Sequence, residues 1–122
     1  MRVSAMLLIP TLALVGVSCG SNDEGDAGGG AEVAVTGTDD ACTLASTELA
    51  AGKTTFVFTN KSKQVNEIYV KTANDKIVKE IENVVTGQIR KMTVTLEAGK
   101  TYKVQCKPGQ KGDGFTTDIT VK

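Results

Sequence analysis

The sequence predicts an all-β protein, a Greek-key β-sandwich of seven to eight short strands. Three observations carry that expectation. From Glu32 onward apolar and polar residues alternate with a period of two, as in strands with one face buried. Gly, Asn and Asp interrupt the alternation about every 8–12 residues, the rhythm of turns in a sandwich. No stretch long enough for a helix carries an apolar stripe, while Thr and Val, which suit pleated surfaces, are abundant.

The chain of 122 residues allows one domain plus extensions. Residues 1–18 have the three-part layout of a secretory signal: a positive charge at Arg2, an apolar run from Met6 to Val15, and small residues at Gly16 and Ser18. The apolar run is too short and broken for a membrane span. Its small residues precede Cys19 in the manner of a bacterial lipobox, so Cys19 is the expected lipid anchor, with plain secretion the alternative. Residues 19–31 then read as the lipidated Cys and a flexible tether rich in Gly and acidic residues, which cannot bury enough surface to offset its ordering entropy. Such a tether typically reaches about 20 Å, enough to hold a domain clear of a bilayer. The expected location is the cell envelope, on the extracytoplasmic face of the cell membrane.

Residues 32–122 form the expected domain. Val33 and Val35 open a first strand; Cys42 and Leu44, with Ser46, share one face of the next. Ala51-Gly52-Lys53 is a turn, after which Phe56 and Phe58 point together into the core. Asn60 to Lys63 is a polar loop. Ile68 and Val70 then alternate with Glu67 and Tyr69, and a turn at Asn74-Asp75-Lys76 leads to a strand over residues 77–85. Met92, Val94 and Leu96 give the cleanest alternation. Tyr102, Val104 and Cys106 share one parity, and Phe115, Thr117, Ile119 and Val121 finish on one face of an antiparallel sandwich. Tyr102, just after the Ala98-Gly99 turn, fits a tyrosine corner; a half-buried strand aromatic is the plainer alternative.

Composition excludes several functions. The 14 basic and 14 acidic residues cancel, and loss of Arg2 with the leader leaves 13 against 14, a net charge of −1. That lacks the basic footprint of a nucleic-acid binder. Aromatic content of 4% with no Trp leaves no stacking surface. The chain contains no His, so neither a Ser–His nor a Cys–His nucleophile is possible, and a blue-copper centre of two His and one Cys is excluded. The loop from Gly109 to Gly114 is no phosphate loop, because no helix pattern follows it. Asp39, Asp40, Glu80 and Glu82 read as solvated acidic positions. An enzyme is not expected.

With Cys19 assigned to lipid, Cys42 and Cys106 remain. Outside the cytoplasm an even pair usually oxidises to a disulfide. The rival is that both are thiolate ligands of a soft or borderline metal such as copper. Their spacing does not separate the two, and the disulfide is the favoured resting state.

Tyr-x-x-x-Cys-x-Pro, a short Gly loop and a final strand, here Tyr102 to Val121, resemble the last part of a cupredoxin, the copper-binding β-sandwich. Copper-carrying members place a His after that Pro and a Met a few residues later; Gly109 and Asp113 take those places here. The first copper His of the family, at the start of an earlier strand, is matched to Glu67. Asp39 to Cys42, Ala51 to Phe56, Thr59 to Lys61, Asn66-Glu67, Glu80 to Val84 and Tyr102 to Gly114 together are similar to the cupredoxin-type domain of EfeO. That protein is the extracytoplasmic component of a bacterial iron uptake system. This resemblance covers about residues 32–122. It implies copper or ferric iron held by Cys42, Cys106 and Glu67, with Asp113 a further oxygen donor, and it implies an iron permease and a haem peroxidase as partners. EfeO proteins also carry a larger helical domain with a His-x-x-Glu metal site, which this sequence lacks. The expected function is therefore a lipid-anchored metal carrier in iron or copper acquisition. The alternative is an envelope interaction module without metal, closed by a structural Cys42–Cys106 disulfide.

Overall fold

The computed structural model describes residues 30–122. The leader, Cys19 and nearly all of the tether lie outside the described residues. Nine strands follow one another: β1 Ala31–Gly37, β2 Cys42–Leu44, β3 Glu48–Leu49, β4 Gly52–Asn60, β5 Asn66–Thr72, β6 Ile77–Val84, β7 Ile89–Leu96, β8 Thr101–Cys106 and β9 Phe115–Val121. A single helical turn, Pro108–Gln110, interrupts the last loop. Two sheets face each other, ordered β2-β1-β4-β7 and β3-β9-β8-β5-β6. The all-β expectation is met.

The strand beyond the expected eight is β3, whose two residues are too few for any periodicity to show. The sheets are mixed rather than antiparallel throughout: β1 runs parallel to β4, and β3 parallel to β9. Parallel neighbours need a crossover between them. Here β2 and β3 supply it, because the chain leaves β1 through β2 in one sheet and crosses to β3 at the edge of the other. It then returns to lay β4 along β1.

The core is the set of inward positions of the two sheets. Val35, Phe56, Phe58, Ile68, Val70, Val104 and Ile119 are fully buried, with Met92 and Leu96 nearly so. Phe115 keeps its expected face, paired with the inward Cys106, but at the start of β9 it is 38% exposed at the rim of the core. The expected tyrosine corner is present, since the buried Tyr102 hydroxyl accepts a hydrogen bond of 3.0 Å from the backbone N–H of Glu97. That bond ties the β7–β8 connection to the sheet at one end of the sandwich. The opposite end carries the cysteines.

Candidate functional site

Strand β8 alternates Tyr102, Val104 and Cys106 inward, so Cys106 ends an apolar row and has no exposed surface. Cys42 opens β2 in the facing sheet, paired with Gly37 of β1. The two sulfurs are bonded, with 5.5 Å between the Cα atoms. A covalent link thus joins the sheets at this rim. Closing 64 positions of chain stabilises a small domain by about 4 kcal/mol on the loop-entropy account. The Thr117 hydroxyl adds a 2.6 Å bond to the carbonyl oxygen of Cys42, a second tie between the sheets.

Beside the disulfide lies a buried polar cluster. Asn60, Ser62 and Asn66 have no exposed surface. The Asn60 amide donates to the carbonyls of Gln64 and Val84, both at 2.9 Å. Its oxygen accepts from the N–H and hydroxyl of Ser62 at 2.9 and 2.6 Å. Asn66 donates to Asn60 Oδ1 and Ser62 Oγ at 3.4 Å, and its own oxygen accepts the N–H of Glu67 at 3.0 Å. Each side-chain amide is engaged, as burial requires. Close approach needs Gly37 here, because a Cβ at that position would come within 2.7 Å of the Phe58 ring and 3.0 Å of the Asn66 amide.

Glu67 takes the other face. In β5 the residues Asn66, Ile68 and Val70 point inward, and Ile68 is paired with Cys106. Glu67, between Asn66 and Ile68, therefore projects to the outer face, away from the sulfur of Cys106. Its carboxylate acts on the hydroxyl of Tyr69, two residues along the same face. Burial first, and then this carboxylate, push the Tyr69 phenol well above its ordinary range. The ammonium groups of Lys71 and Lys107 stand 5.3 and 5.0 Å from the centre of the Tyr69 ring. On the same face the Gln105 amide donates to the carbonyl of Asp113, which pulls the last loop over the sheet.

The structure brings together Cys42 and Cys106, as the disulfide, and places Glu67 on the outer side of the sheet. Asp113 is exposed in the loop after β8. Among the described residues no three His, Cys, Asp or Glu side chains form a group able to hold a metal ion. The inward residue at the start of β5 is Asn66, which the sequence reading passed over; its parity with Ile68 and Val70 was the available signal. Gly109, where copper-carrying cupredoxins have His, adopts a left-handed φ of 77°, and a Cβ there would lie 2.6 Å from Gln64 Oε1. That turn is pinned at 2.7 Å on both sides, by Gly109 N–H to the Val65 carbonyl and Asn83 N–H to Gln110 Oε1. A copper ion does not fit this donor set: the sulfur is in a disulfide, the inward strand position is an engaged amide, and the loop offers no imidazole.

A groove of about 430 Å³ runs beside the disulfide between β2 and β9. Asp40, Cys42, Thr43 and Leu44 form one wall, Phe115 and Thr117 the other. Cys106 is not part of it.

A family model for the cupredoxin-like domain matches residues 8–121. Among solved structures, auracyanin A from Chloroflexus aurantiacus, described as a "blue" copper protein, is similar at 21% identity and a TM-score of 0.56. That likeness covers 76% of this chain and 100% of that one. Reduced auracyanin from Roseiflexus castenholzii is similar at 19% identity and a TM-score of 0.55, covering 75% and 95%. A copper-containing nitrite reductase from Thermus scotoductus shares 14% identity at a TM-score of 0.54, over 75% of this chain and 27% of that one. No curated protein matches.

Proposed function

This chain belongs to the cupredoxin-like domain family, and from that premise we propose that it is an envelope interaction module whose disulfide stands where relatives carry copper. One observation carries the proposal: the sulfur of Cys106 is bonded to Cys42, in a buried site whose other polar groups are already paired. A disulfide sulfur is not a thiolate, so the resting protein lacks the soft ligand that such a centre needs. What the fold then offers is a rigid, covalently closed sandwich for contact with another protein. The leader and the anchor at Cys19 would place that sandwich outside the cytoplasm, tethered to the membrane. Among the described residues no helix is long and apolar enough to cross a membrane.

A second reading takes its support from family membership. In it, Cys42, Cys106, Glu67 and Asp113 would capture copper or iron for acquisition and pass it to an iron permease with a haem peroxidase partner. It requires the disulfide to open and Glu67 to leave the outer face.

Equilibrium dialysis of the non-reduced protein against copper(II) and ferric salts tests the proposal. The expected result is no stoichiometric retention of either ion. Stoichiometric metal that is lost in both Cys106→Ser and Glu67→Ala would overturn it in favour of the carrier.

A further inference from the structure

The two sulfurs of the bridge are not equivalent. Cys106, the last residue of β8, has no exposed surface, whereas Cys42 is 4% exposed and forms part of the groove between β2 and β9. Cys42 also belongs to the weaker element. Strand β2 has three residues and pairs on one side only, with β1, at the edge of its sheet. Cys106 instead lies in a strand paired on both sides, with β5 and β9. An edge strand of this length opens locally far more readily than a central one.

We infer that the disulfide is a thiol-exchange site with a fixed polarity, attacked at the sulfur of Cys42 by a dithiol reductant entering the β2–β9 groove. This rests on the disulfide of the proposed function and gives that module a redox state. The reductant's thiolate forms a bond to Cys42 Sγ, and the Sγ–Sγ bond breaks with its electron pair leaving on Cys106. Cys106, buried among apolar neighbours, takes up a proton and becomes a thiol. The reductant's second thiolate then attacks its own sulfur in the mixed disulfide, releasing Cys42 as a thiolate that is protonated in turn. Overall the dithiol is oxidised to a disulfide, and two electrons and two protons reach the cysteine pair. Attack in the other sense needs a thiolate inside the core and is closed by packing. Opening the bridge removes the covalent tie between the sheets at this rim, and leaves Thr117 Oγ1 to the Cys42 carbonyl as a polar bond between them there. The groove's chemistry, the apolar side chains of Ala41, Leu44 and Phe115 among hydroxyls and one acid, suits a peptide segment flanking the reductant's cysteine.

The test uses glutathione as a monothiol probe on the full-length protein without denaturant. Free thiols are first blocked by alkylation, glutathione is added in excess, the reaction is quenched with a second, distinguishable alkylating reagent, and the sites are mapped by peptide mass spectrometry. The expected product carries glutathione on Cys42 and the second reagent on Cys106, and Phe115→Ala, which widens the groove, forms it faster. Glutathione found on Cys106, or divided between the two, overturns the polarity. Exchange that occurs only at the rate of global unfolding, measured in parallel by hydrogen exchange, overturns the exchange site while leaving a structural disulfide intact. Protein whose Cys42 and Cys106 both take the first reagent overturns the disulfide and the proposal together.

Discussion

The β5–β8 pair presents two faces built to opposite rules. On the inner face Ile68, Val70, Val104 and Cys106 are apolar and fully buried, and the polar residue at the edge, Asn66, is buried with every donor direction used. The outer face carries Glu67, Tyr69 and Gln105, with the Lys71 and Lys107 ammonium groups over the Tyr69 ring. The faces are one residue apart in sequence and a sheet apart in space. Chemistry that needs the thiol of Cys106 and the carboxylate of Glu67 together is divided by that single step of alternation. The inner face is thus a structural element, and the outer face sets titration and surface charge.

Substitutions should separate the faces in that way. The largest effect is expected at the bridge: Cys42→Ala with Cys106→Ala should lower stability by about 4 kcal/mol, read by urea denaturation, because the unfolded chain regains the closed loop's freedom. Next comes Asn60→Ala, which strands the buried Ser62 N–H and takes a donor from the carbonyls of Gln64 and Val84; a loss of about 2–3 kcal/mol is expected from the same measurement. At the opposite end of the sandwich Tyr102→Phe should cost about 1 kcal/mol, since one hydrogen bond to the Glu97 N–H disappears while the ring keeps its packing. If Asn60→Ala were as mild as an exposed substitution, the buried amide cluster that Asn60 forms with Ser62 and Asn66 would not be structural.

The outer face should answer in pH rather than in stability at neutrality. Tyr69 is held above its ordinary value of 10.0 in the folded protein, by burial and by Glu67. The unfolded chain therefore loses that proton at lower pH than the folded one. Stability is unaffected below about pH 10 and falls as pH rises beyond it, because the unfolded state is then the one that binds fewer protons. Glu67→Gln removes the neighbouring charge and should move the Tyr69 titration, followed by phenolate absorbance, to lower pH. It should still lie above the ordinary value, because burial persists. A midpoint unchanged by Glu67→Gln would place the carboxylate elsewhere than beside Tyr69.

Much of this arrangement was legible in the chain. Period-two alternation revealed eight of the strands and the inward set around Phe56 and Phe58, and Tyr102 after a glycine turn indicated its corner. The alternation also set Glu67 opposite to Ile68 and Val70. It could not supply the register that pairs Ile68 with Cys106, which depends on contacts distant in sequence, so the separation of carboxylate and sulfur was hidden. The resemblance matched a ligand position to Glu67 where the fold turns Asn66 inward. The two-residue β3 and the parallel pairing of β1 with β4 were hidden for a related reason: both depend on where the chain crosses between sheets, and local pattern is silent on that. The groove at β2–β9 lies where Phe115, on the inward face and paired with Cys106, ends its strand 38% exposed, because the three-residue β2 leaves the rim of the core open beside it.

Everything at this rim depends on Cys42 and Cys106 being joined in the resting protein. Denaturing the native, never-reduced protein in the presence of an alkylating reagent and weighing it intact tests this most directly. The expected result is no alkyl group on Cys42 or Cys106, and a mass lower by two hydrogens than that of the reduced chain. Two alkyl groups, one on each of these cysteines, would contradict it.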